Sequence, residues 1–131
     1  MSVAPVKRVV VIGSESSGTT TLARALAEHY RTVWVPEYGR TYTEGRVHSP
    51  QPWRSDEFTF IALEQARMED ALATLANQVL ICDTDPFATA IWHERYMGTS
   101  SEAVQAIVDT RTYDLYVVTD VNIPFEQDEI R

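Results

Sequence analysis

One stretch decides the fold of this chain: Gly13-Ser14-Glu15-Ser16-Ser17-Gly18-Thr19-Thr20-Thr21. It follows the apolar run Val9-Val10-Val11-Ile12 and precedes a helical pattern, so the local order is strand, glycine-bounded loop, helix. The spacing G-x-x-x-x-G followed by hydroxyl residues is typical of a loop whose backbone N–H groups bind phosphate. One position departs from that pattern, because Thr19 stands where such loops carry a lysine. The stretch therefore predicts a phosphate-binding loop with an uncharged centre.

Length and composition indicate one globular domain over residues 1–131. A chain of this length buries roughly two-thirds of its unfolded surface, which is enough for a real core. No run of about 18 apolar residues is present, and the first residues lack the charged and apolar regions of a signal peptide. The single cysteine, Cys82, can form no internal disulfide. We therefore expect a cytoplasmic protein that does not enter a membrane.

The charge limits the class of partner. A formal net charge of −8 disfavours nucleic acids and anionic membranes. It does not exclude a nucleotide, because backbone N–H groups and Mg²⁺ can hold phosphates locally. The three histidines have no metal-ligand spacing and only one cysteine is present, so we do not expect a zinc site.

Apolar runs and helical patterns alternate along the chain, which predicts an α/β fold with a mostly parallel sheet. Unalternated Val- and Ile-rich runs are typical of strands that are buried on both faces. Strands are predicted at 7–12, 33–35, 79–82 and 115–118. Helices are predicted at 19–30, 55–77, 86–96 and 99–110. Glycine, proline and mixed charge predict a loop over 41–54.

Right-handed crossovers place the carboxyl ends of all parallel strands at one edge of the sheet. That edge would carry the loop at 13–21, the cluster Glu37 to Arg40, the acids Asp83 and Asp85, and Asp120. The polar clusters therefore converge on one crevice. Kinases with a phosphate-binding loop generally have a fifth strand and an arginine-bearing lid after this point. We expect the chain to be C-terminally incomplete, without that strand and lid.

Two residues fit a magnesium site. Thr20 occupies the loop position whose hydroxyl binds Mg²⁺, and Asp83 follows four apolar residues, as the carboxylate that orients the metal does. Asp83 could instead cap a helix, but Asp85 directly before Pro86 fits the cap better. We therefore favour Asp83 for Mg²⁺.

Glu37 and Arg40 each have two readings. Glu37 could accept the proton of a substrate hydroxyl, or it could be a surface acid paired with Arg40. Arg40 could meet phosphate or balance Glu37, and it could partly replace the charge missing at Thr19. Lys7 and Arg24 are less plausible sources of that charge.

The remaining chemically interesting side chains have mainly structural interpretations. We expect Trp34 in the core and Cys82 as an inert core thiol. His93 is expected to be packed or at the surface, and Trp92 and Tyr96 to lie on a helix face. Candidates for stacking on a base are three aromatic residues in the predicted loop region, Tyr38, Tyr42 and Trp53.

Taken together, these motifs resemble the nicotinamide riboside kinase domain of the NadR type. The resemblance runs from about residue 7 through nearly the whole chain, and its pairing of G-x-E-S-S-G with E-Y-G-R and D-T-D is fairly specific. Asp120, Pro124-Phe125 and Gln127-Asp128 extend it. The resemblance implies a three-layer fold with a phosphate-binding loop. It also implies transfer of the γ-phosphoryl group of ATP, with Mg²⁺, to nicotinamide riboside, which gives nicotinamide mononucleotide for NAD biosynthesis.

The resemblance also implies residue roles. Residues 13–21 would bind ATP, with Thr20 at the metal, while Glu37, Tyr38 and Arg40 would line the nucleoside side. Asp83 and Asp85 would serve the metal, the base or the ribose, and Arg131 would begin the lid. An adenylyltransferase, which often accompanies this domain, would lie on another polypeptide. Two alternatives remain open: a non-catalytic domain that senses ATP or a pyridine nucleotide, and a kinase for another nucleoside or nucleotide.

Overall fold

The computed structural model describes residues 5–13 and 18–120. Within these ranges four strands form one parallel sheet with the order β2-β3-β1-β4. The strands are β1 (Lys7–Gly13), β2 (Trp34–Val35), β3 (Val79–Asp83) and β4 (Leu115–Thr119). The helices are α1 (Thr19–His29), α2 (Tyr38–Gly45), α3 (Ser55–Ala73), α4 (Pro86–Met97) and α5 (Glu102–Asp109).

Helices cover both faces of the sheet because side chains alternate along each strand. On one face Val11 and Ile81 pack against Ala23 and Ala27 of α1, whose small side chains let the helix approach closely. On the other face Val10, Val35, Leu80 and Cys82 form a buried cluster that α3 covers with Met68 and Leu72. The predicted three-layer α/β architecture is confirmed.

A third cluster joins α3, α4 and α5 beyond the sheet. Phe58, Ala62 and Val104 are buried together. His93 lies beside them, almost fully buried, with Nδ1 2.8 Å from the carbonyl oxygen of Thr99 and Nε2 2.9 Å from Ser55 Oγ. A carbonyl oxygen only accepts, so Nδ1 is the donor in the first of these bonds. His93 is thus a packed residue that fixes the start of α3 against α4. Of the two positions expected from the sequence, packed or at the surface, the structure shows the packed one.

The ends of α4 agree with the sequence pattern. Asp85 caps the helix by accepting a hydrogen bond from the backbone N–H of Ala88, and Pro86 follows in the first turn. Gly98 ends the helix with φ of 77°, a left-handed conformation that glycine adopts without strain. The predicted cap and first-turn proline are therefore confirmed, and the helix ends one residue after the predicted position 96.

Three local predictions are wrong. The segment 41–54 is not all loop, since α2 continues to Gly45 and Arg46 then donates to the carboxylate of Glu57 at 3.0 Å. Helix α3 begins after Arg54, whose N–H donates to that same glutamate, and it ends at Ala73, four residues before the predicted end. Helix α5 begins at Glu102 and not at residue 99, because Ser101 caps it, with Oγ 3.1 Å from the nitrogen of Val104.

Cys82 is fully buried in β3, and burial raises the pKa of its thiol. That environment fits the inert thiol that the sequence predicts. In the described part of the chain, no helix is long and apolar enough to cross a membrane.

Candidate active site

The carboxyl ends of β1 and β3 lie side by side, and this places the candidate site. In the parallel register Val11 pairs with Asp83, and on the other side of β1 Gly13 pairs with Thr119. The loop that leaves β1 and the acid that ends β3 therefore meet at one edge, as the topology predicted.

A smaller cavity of about 270 Å³ opens at this edge, beside the N-terminus of α1. Gly18 precedes the helix with φ of 83° and shapes the turn into it. The helix N-terminus presents unpaired N–H groups and the positive end of its dipole, which favour an anion. Ser14, Glu15, Ser16 and Ser17 lie outside the described residues. The described residues that line the smaller cavity are Val11, Ile12, Gly13, Gly18, Thr19, Thr20, Thr21, Glu37, Arg40, Asp83, Thr84, Ala88 and Trp92.

Thr20 and Asp83 meet at the floor of this cavity. The hydroxyl of Thr20 donates to Asp83 Oδ2 at 2.7 Å, and Asp83 is only 2% exposed. Two neighbouring ligands of an octahedral Mg²⁺ stand about 2.9 Å apart when each lies at about 2.05 Å from the metal, so this oxygen pair fits the ion. Within residues 5–13 and 18–120, no group of three or more His, Cys, Asp or Glu could hold a metal ion. The pair therefore fits a magnesium ion that takes its other ligands from phosphate and water.

A larger cavity of about 500 Å³ adjoins the first. Its walls are aromatic and polar, with residues from α2, α3 and α4. They are Glu37, Gly39, Arg40, Thr43, Glu44, Trp53, Phe58, Ile61, Gln65, Thr84, Ala88, Thr89, Trp92 and Tyr96. Such a volume and such a mixture of aromatic and hydrogen-bonding groups suit a small organic ligand.

The two cavities meet at a junction, which we define as the residues that line both: Glu37, Arg40, Thr84, Ala88 and Trp92. Glu37 directly precedes α2, and Arg40 lies one turn later with Nε 3.9 Å from Glu37 Oε1. The side chain of Arg40 is 62% exposed and that of Glu37 is 29% exposed. A carboxylate and a guanidinium thus lie together at the place where a ligand in one cavity would face a ligand in the other.

Gln65 of α3 fixes the segment that carries Glu37. Its side chain is buried, accepts from the N–H of Tyr38 at 2.8 Å and donates to the carbonyl of Pro36 at 3.2 Å. Glu37 lies between these two anchored residues, so its backbone position is set from the core.

Thr84 has the least favourable backbone conformation of the site, with φ of 78°. Its N–H donates to the carbonyl oxygen of Val11 at 3.0 Å, which extends the pairing of β3 with β1 by one bond. The turn at Thr84 separates Asp83, which faces Thr20, from Asp85, which caps α4.

A family model described as AAA domain matches residues 8–131 of the chain. The chain belongs to this family. It is also similar to the trifunctional NAD biosynthesis/regulator protein NadR of Salmonella typhimurium and of Escherichia coli, at 32% identity over 127 residues in each case. These matches cover 96% of this chain but 31% of each relative. The chain therefore spans about a third of the length of these relatives.

Two solved NadR structures share the fold of this AAA domain. A NadR protein in complex with NR has a TM-score of 0.78 and 25% identity, over 97% of this chain and 37% of that chain. A NadR protein in complex with NAD and AMP-PNP has a TM-score of 0.74 and 26% identity, over 87% of this chain and 34% of that chain. The NadR-type resemblance predicted from the motifs is confirmed.

Asp85 of the AAA domain lies away from both cavities. It is fully buried and lines neither cavity. One carboxylate oxygen accepts from the N–H of Ala88 at 3.2 Å, and the other accepts from the hydroxyl of Tyr116 at 2.6 Å. Burial raises the pKa of Asp85, while the bond from Tyr116 opposes that rise. This position argues against the catalytic and substrate-binding roles predicted for Asp85 and favours the helix cap.

The ring of Tyr38 also lies elsewhere than predicted. It packs against Phe60 and Tyr42, with ring centres 5.9 and 6.3 Å apart, and it lines neither cavity. Tyr42 belongs to the same aromatic cluster, while Trp53 does line the larger cavity. Of the three stacking candidates, only Trp53 is therefore placed to meet a ligand directly.

Several residues that line the cavities were not predicted from the sequence. Gln65 had a signal, since it is a polar residue on the apolar face that Phe58, Ile61, Met68 and Leu72 define. Trp92 and Tyr96 do lie on a helix, but the sequence does not say that their face meets the crevice. No feature of the sequence predicts the positive φ of Thr84. Arg131 and residues 121–130, which carry the last part of the motif resemblance, lie outside the described residues.

Proposed function

We propose that this domain binds ATP in the smaller cavity and a nucleoside in the larger one, and transfers the γ-phosphoryl group between them. The observation that carries the proposal is the junction, where Glu37 and Arg40 line both cavities. A phosphate chain that starts at the N-terminus of α1 would end where a ligand of the larger cavity begins. That arrangement suits an in-line transfer, in which positioning and charge stabilisation supply most of the catalysis.

The comparisons favour nicotinamide riboside as the nucleoside. One NadR structure holds NR, which we take as nicotinamide riboside, and another holds NAD with AMP-PNP, an ATP analogue. Transfer to its primary hydroxyl would give nicotinamide mononucleotide. Trp53, Trp92 and Tyr96 line the larger cavity, and aromatic rings attract a cationic ring such as the pyridinium of this nucleoside.

On the ATP side, residues 13 and 18–21 would hold the phosphates through backbone N–H groups and threonine hydroxyls. Thr20 and Asp83 would hold Mg²⁺, which neutralises phosphate charge when it is bound. Their 2.7 Å separation and the burial of Asp83 support this role.

Glu37 would act as the general base. Its carboxylate would accept the proton of the attacking hydroxyl as the new P–O bond forms and the bond to the leaving ADP breaks. The alternative acid, Asp83, is engaged with Thr20, and Asp85 is buried away from both cavities. Glu37 is therefore the acid whose position best fits the reacting hydroxyl.

The experiment measures ADP formation with and without nicotinamide riboside and Mg²⁺. We expect turnover only when both are present. Glu37→Gln should lower kcat by about 10²–10⁴-fold with ATP affinity retained, because a positioned base contributes a factor of that size. Glu44→Gln is the matched control, since Glu44 lines the larger cavity but not the junction. We expect it to stay within a few-fold of the unaltered chain.

A second function is favoured by one observation, the uncharged Thr19 in the lining of the smaller cavity. A domain that binds ATP without turnover would sense the nucleotide instead of using it. ATP binding with no ADP formation, for any member of a panel of nucleosides, would support this sensor and contradict the kinase. Turnover of another nucleoside but not of nicotinamide riboside would keep the kinase and change its substrate.

A further inference from the structure

Resting on the proposed function, we propose that Arg40 takes the place of the missing loop lysine and binds the terminal phosphates of ATP. Loops with this spacing use a lysine to reach the β- and γ-phosphates. Here the corresponding residue, Thr19, is the first residue of α1 and offers a hydroxyl without charge. The β- and γ-phosphates of ATP carry most of its negative charge, so a second cation beside Mg²⁺ would stabilise them during transfer.

Arg40 is the only lysine or arginine among the described residues that line the smaller cavity. It lies in the first turn of α2 and also lines the larger cavity. A cation at the junction would contact the phosphate that is being transferred, whereas a lysine in the loop would approach it from the helix α1 side.

The other lysines and arginines of the described ranges line neither cavity. Ten of the chain's eleven lysines and arginines lie in those ranges, and the eleventh, Arg131, lies outside them. Lys7 begins β1, about 20 Å from its phosphate end at a rise of about 3.3 Å per residue. Arg24 is exposed and lies five residues after Thr19, which is about 140° around the helix. Neither of these sources of charge can reach the cavity from its position.

Five other arginines contact a carboxylate in the described structure, namely Arg8, Arg46, Arg54, Arg67 and Arg111. In each of these pairs the nitrogen and the oxygen lie within 3.1 Å. The contact of Arg40 with Glu37 is much longer, at 3.9 Å, and involves Nε alone. The two terminal nitrogens of Arg40 make no hydrogen bond or ion pair to any residue in the described ranges. A guanidinium with two unused terminal nitrogens is suited to a two-point contact with phosphate oxygens.

The contact of Arg40 with Glu37 would give this arginine a second role beside phosphate binding. Glu37 Oε1 lies on the Nε side of Arg40, so a phosphate bound at the terminal nitrogens would lie close to the proposed base. One arginine would thus orient both the phosphate and the carboxylate that receives the proton.

The test compares Arg40→Met, Thr19→Lys and the double variant by direct calorimetric titration with ATP, with AMP and with nicotinamide riboside, all in the presence of Mg²⁺. Arg40→Met should weaken ATP binding by about 10- to 100-fold, the effect of losing charge-assisted hydrogen bonds, and leave AMP binding unchanged. Thr19→Lys should raise ATP affinity by a smaller factor in the unaltered chain than in the Arg40→Met background, because Arg40 already supplies the charge. The double variant should regain most of the lost affinity and part of the turnover, because the lysine restores the charge.

Arg24→Met is the matched control, since it removes an exposed arginine that lines neither cavity, and it should bind ATP like the unaltered chain. Unchanged ATP affinity in Arg40→Met overturns the inference and leaves the proposed function standing. So does weaker binding of nicotinamide riboside alone, which would make Arg40 a nucleoside ligand. A double variant that stays as weak as Arg40→Met also counts against the exchange of charges. If the unaltered chain binds no ATP, both the inference and the proposed function fail.

Discussion

Thr84 shows how one residue can set the directions of two others. A β-branched residue with positive φ is disfavoured by about 1–2 kcal/mol, since its Cβ crowds the following carbonyl oxygen. Here that conformation turns the chain between Asp83 at the magnesium pair and Asp85 at the cap of α4. Strain of this kind gathers at functional sites, where the surrounding structure holds the residue in place.

Replacing Thr84 by glycine separates stability from function. Thr84→Gly should raise the free energy of unfolding by about 0.5–1 kcal/mol, because relief of strain exceeds the entropy that glycine adds to the unfolded chain. The looser turn should lower kcat for phosphoryl transfer, since Asp83 loses its fixed direction. Urea unfolding and steady-state kinetics measure the two effects.

Gln78→Gly is the matched control for this prediction. Gln78 also has positive φ, at 70°, but it lies before β3, at the end of the sheet away from the site. Its replacement should stabilise the chain without changing kcat. Equal loss of activity in both variants, or a loss of stability above 1 kcal/mol in Thr84→Gly, would show that backbone strain at Thr84 is not tied to the site.

At the scale of elements, α3 holds the start of α2 through one amide side chain. Gln65 offers an acceptor to the N–H of Tyr38 and a donor to the carbonyl of Pro36. Both bonds come from a residue that is 1% exposed, so water cannot replace them. The backbone of Glu37 therefore depends on a residue of another helix.

Gln65→Leu keeps the volume of the side chain but leaves two backbone groups without their partner. We expect a loss of about 2 kcal/mol in the free energy of unfolding, and a fall in kcat/KM for the nucleoside that exceeds any loss of ATP affinity. Thermal unfolding, ATP titration and steady-state kinetics measure these effects. Leu63→Ala, on the exposed side of the same helix, should stay within about 0.5 kcal/mol and keep its activity. Equal effects on ATP and nucleoside would contradict a local role for Gln65.

Among the strands and helices, some could be predicted from sequence and others could not. Strands β1, β3 and β4 were predictable because their apolar runs are short, unbroken and bounded by polar residues. Helix α2 was not, because its two glycines and sparse apolar residues give no helical pattern. Its stability comes from distant partners, such as the 2.8 Å bond from the hydroxyl of Tyr42 to Glu57. A local pattern carries no record of such partners.

The candidate site likewise has residues whose positions could be predicted from sequence and residues whose positions could not. The meeting of Thr20 and Asp83 followed from the topology of parallel strands, which requires only the strand ends to be known. The aromatic wall formed by Trp92 and Tyr96 depends on how α4 is rotated against α3, and packing alone decides that rotation. The resemblance implies a site role for Asp85 through the motif Asp83-Thr84-Asp85, yet the turn at Thr84 sends the two acidic side chains to different surroundings.

At the scale of the whole molecule, a partly buried ionic network joins α3 to β1 and to the segment that precedes β4. Arg111 donates to Glu69 at 3.0 Å and to Asp70 at 2.8 Å, while Arg8 of β1 donates to Asp70 at 3.1 Å. Tyr113, just before β4, donates to Glu69 at 2.6 Å. Glu69 is fully buried, and burial raises the pKa of its carboxyl against the effect of these donors.

Removing Arg111 should destabilise the fold in a pH-dependent manner. An acid whose pKa is higher in the folded state opposes folding once it ionises, so stability falls as pH rises through that pKa. Arg111→Met takes away a cation that stabilises ionised Glu69, which raises its pKa further. We expect a loss of about 3–5 kcal/mol at pH 8, in line with breaking a buried pair, and a smaller loss at pH 5. Urea unfolding at the two pH values measures the difference.

Two further variants isolate Glu69 as the cause. Arg111 and Arg8 both lower the pKa of Asp70 through hydrogen bonds, and Arg8 still does so in Arg111→Met, so we expect Asp70 to stay ionised at both pH values and to add no dependence between them. The double variant Arg111→Met/Glu69→Gln should therefore be more stable than Arg111→Met at pH 8, and its stability loss should no longer change between pH 5 and pH 8. Arg67→Met removes an exposed arginine of the same helix and should show neither effect. A loss that is the same at both pH values in Arg111→Met would mean that the arginine acts by packing and not by compensating the buried carboxylate.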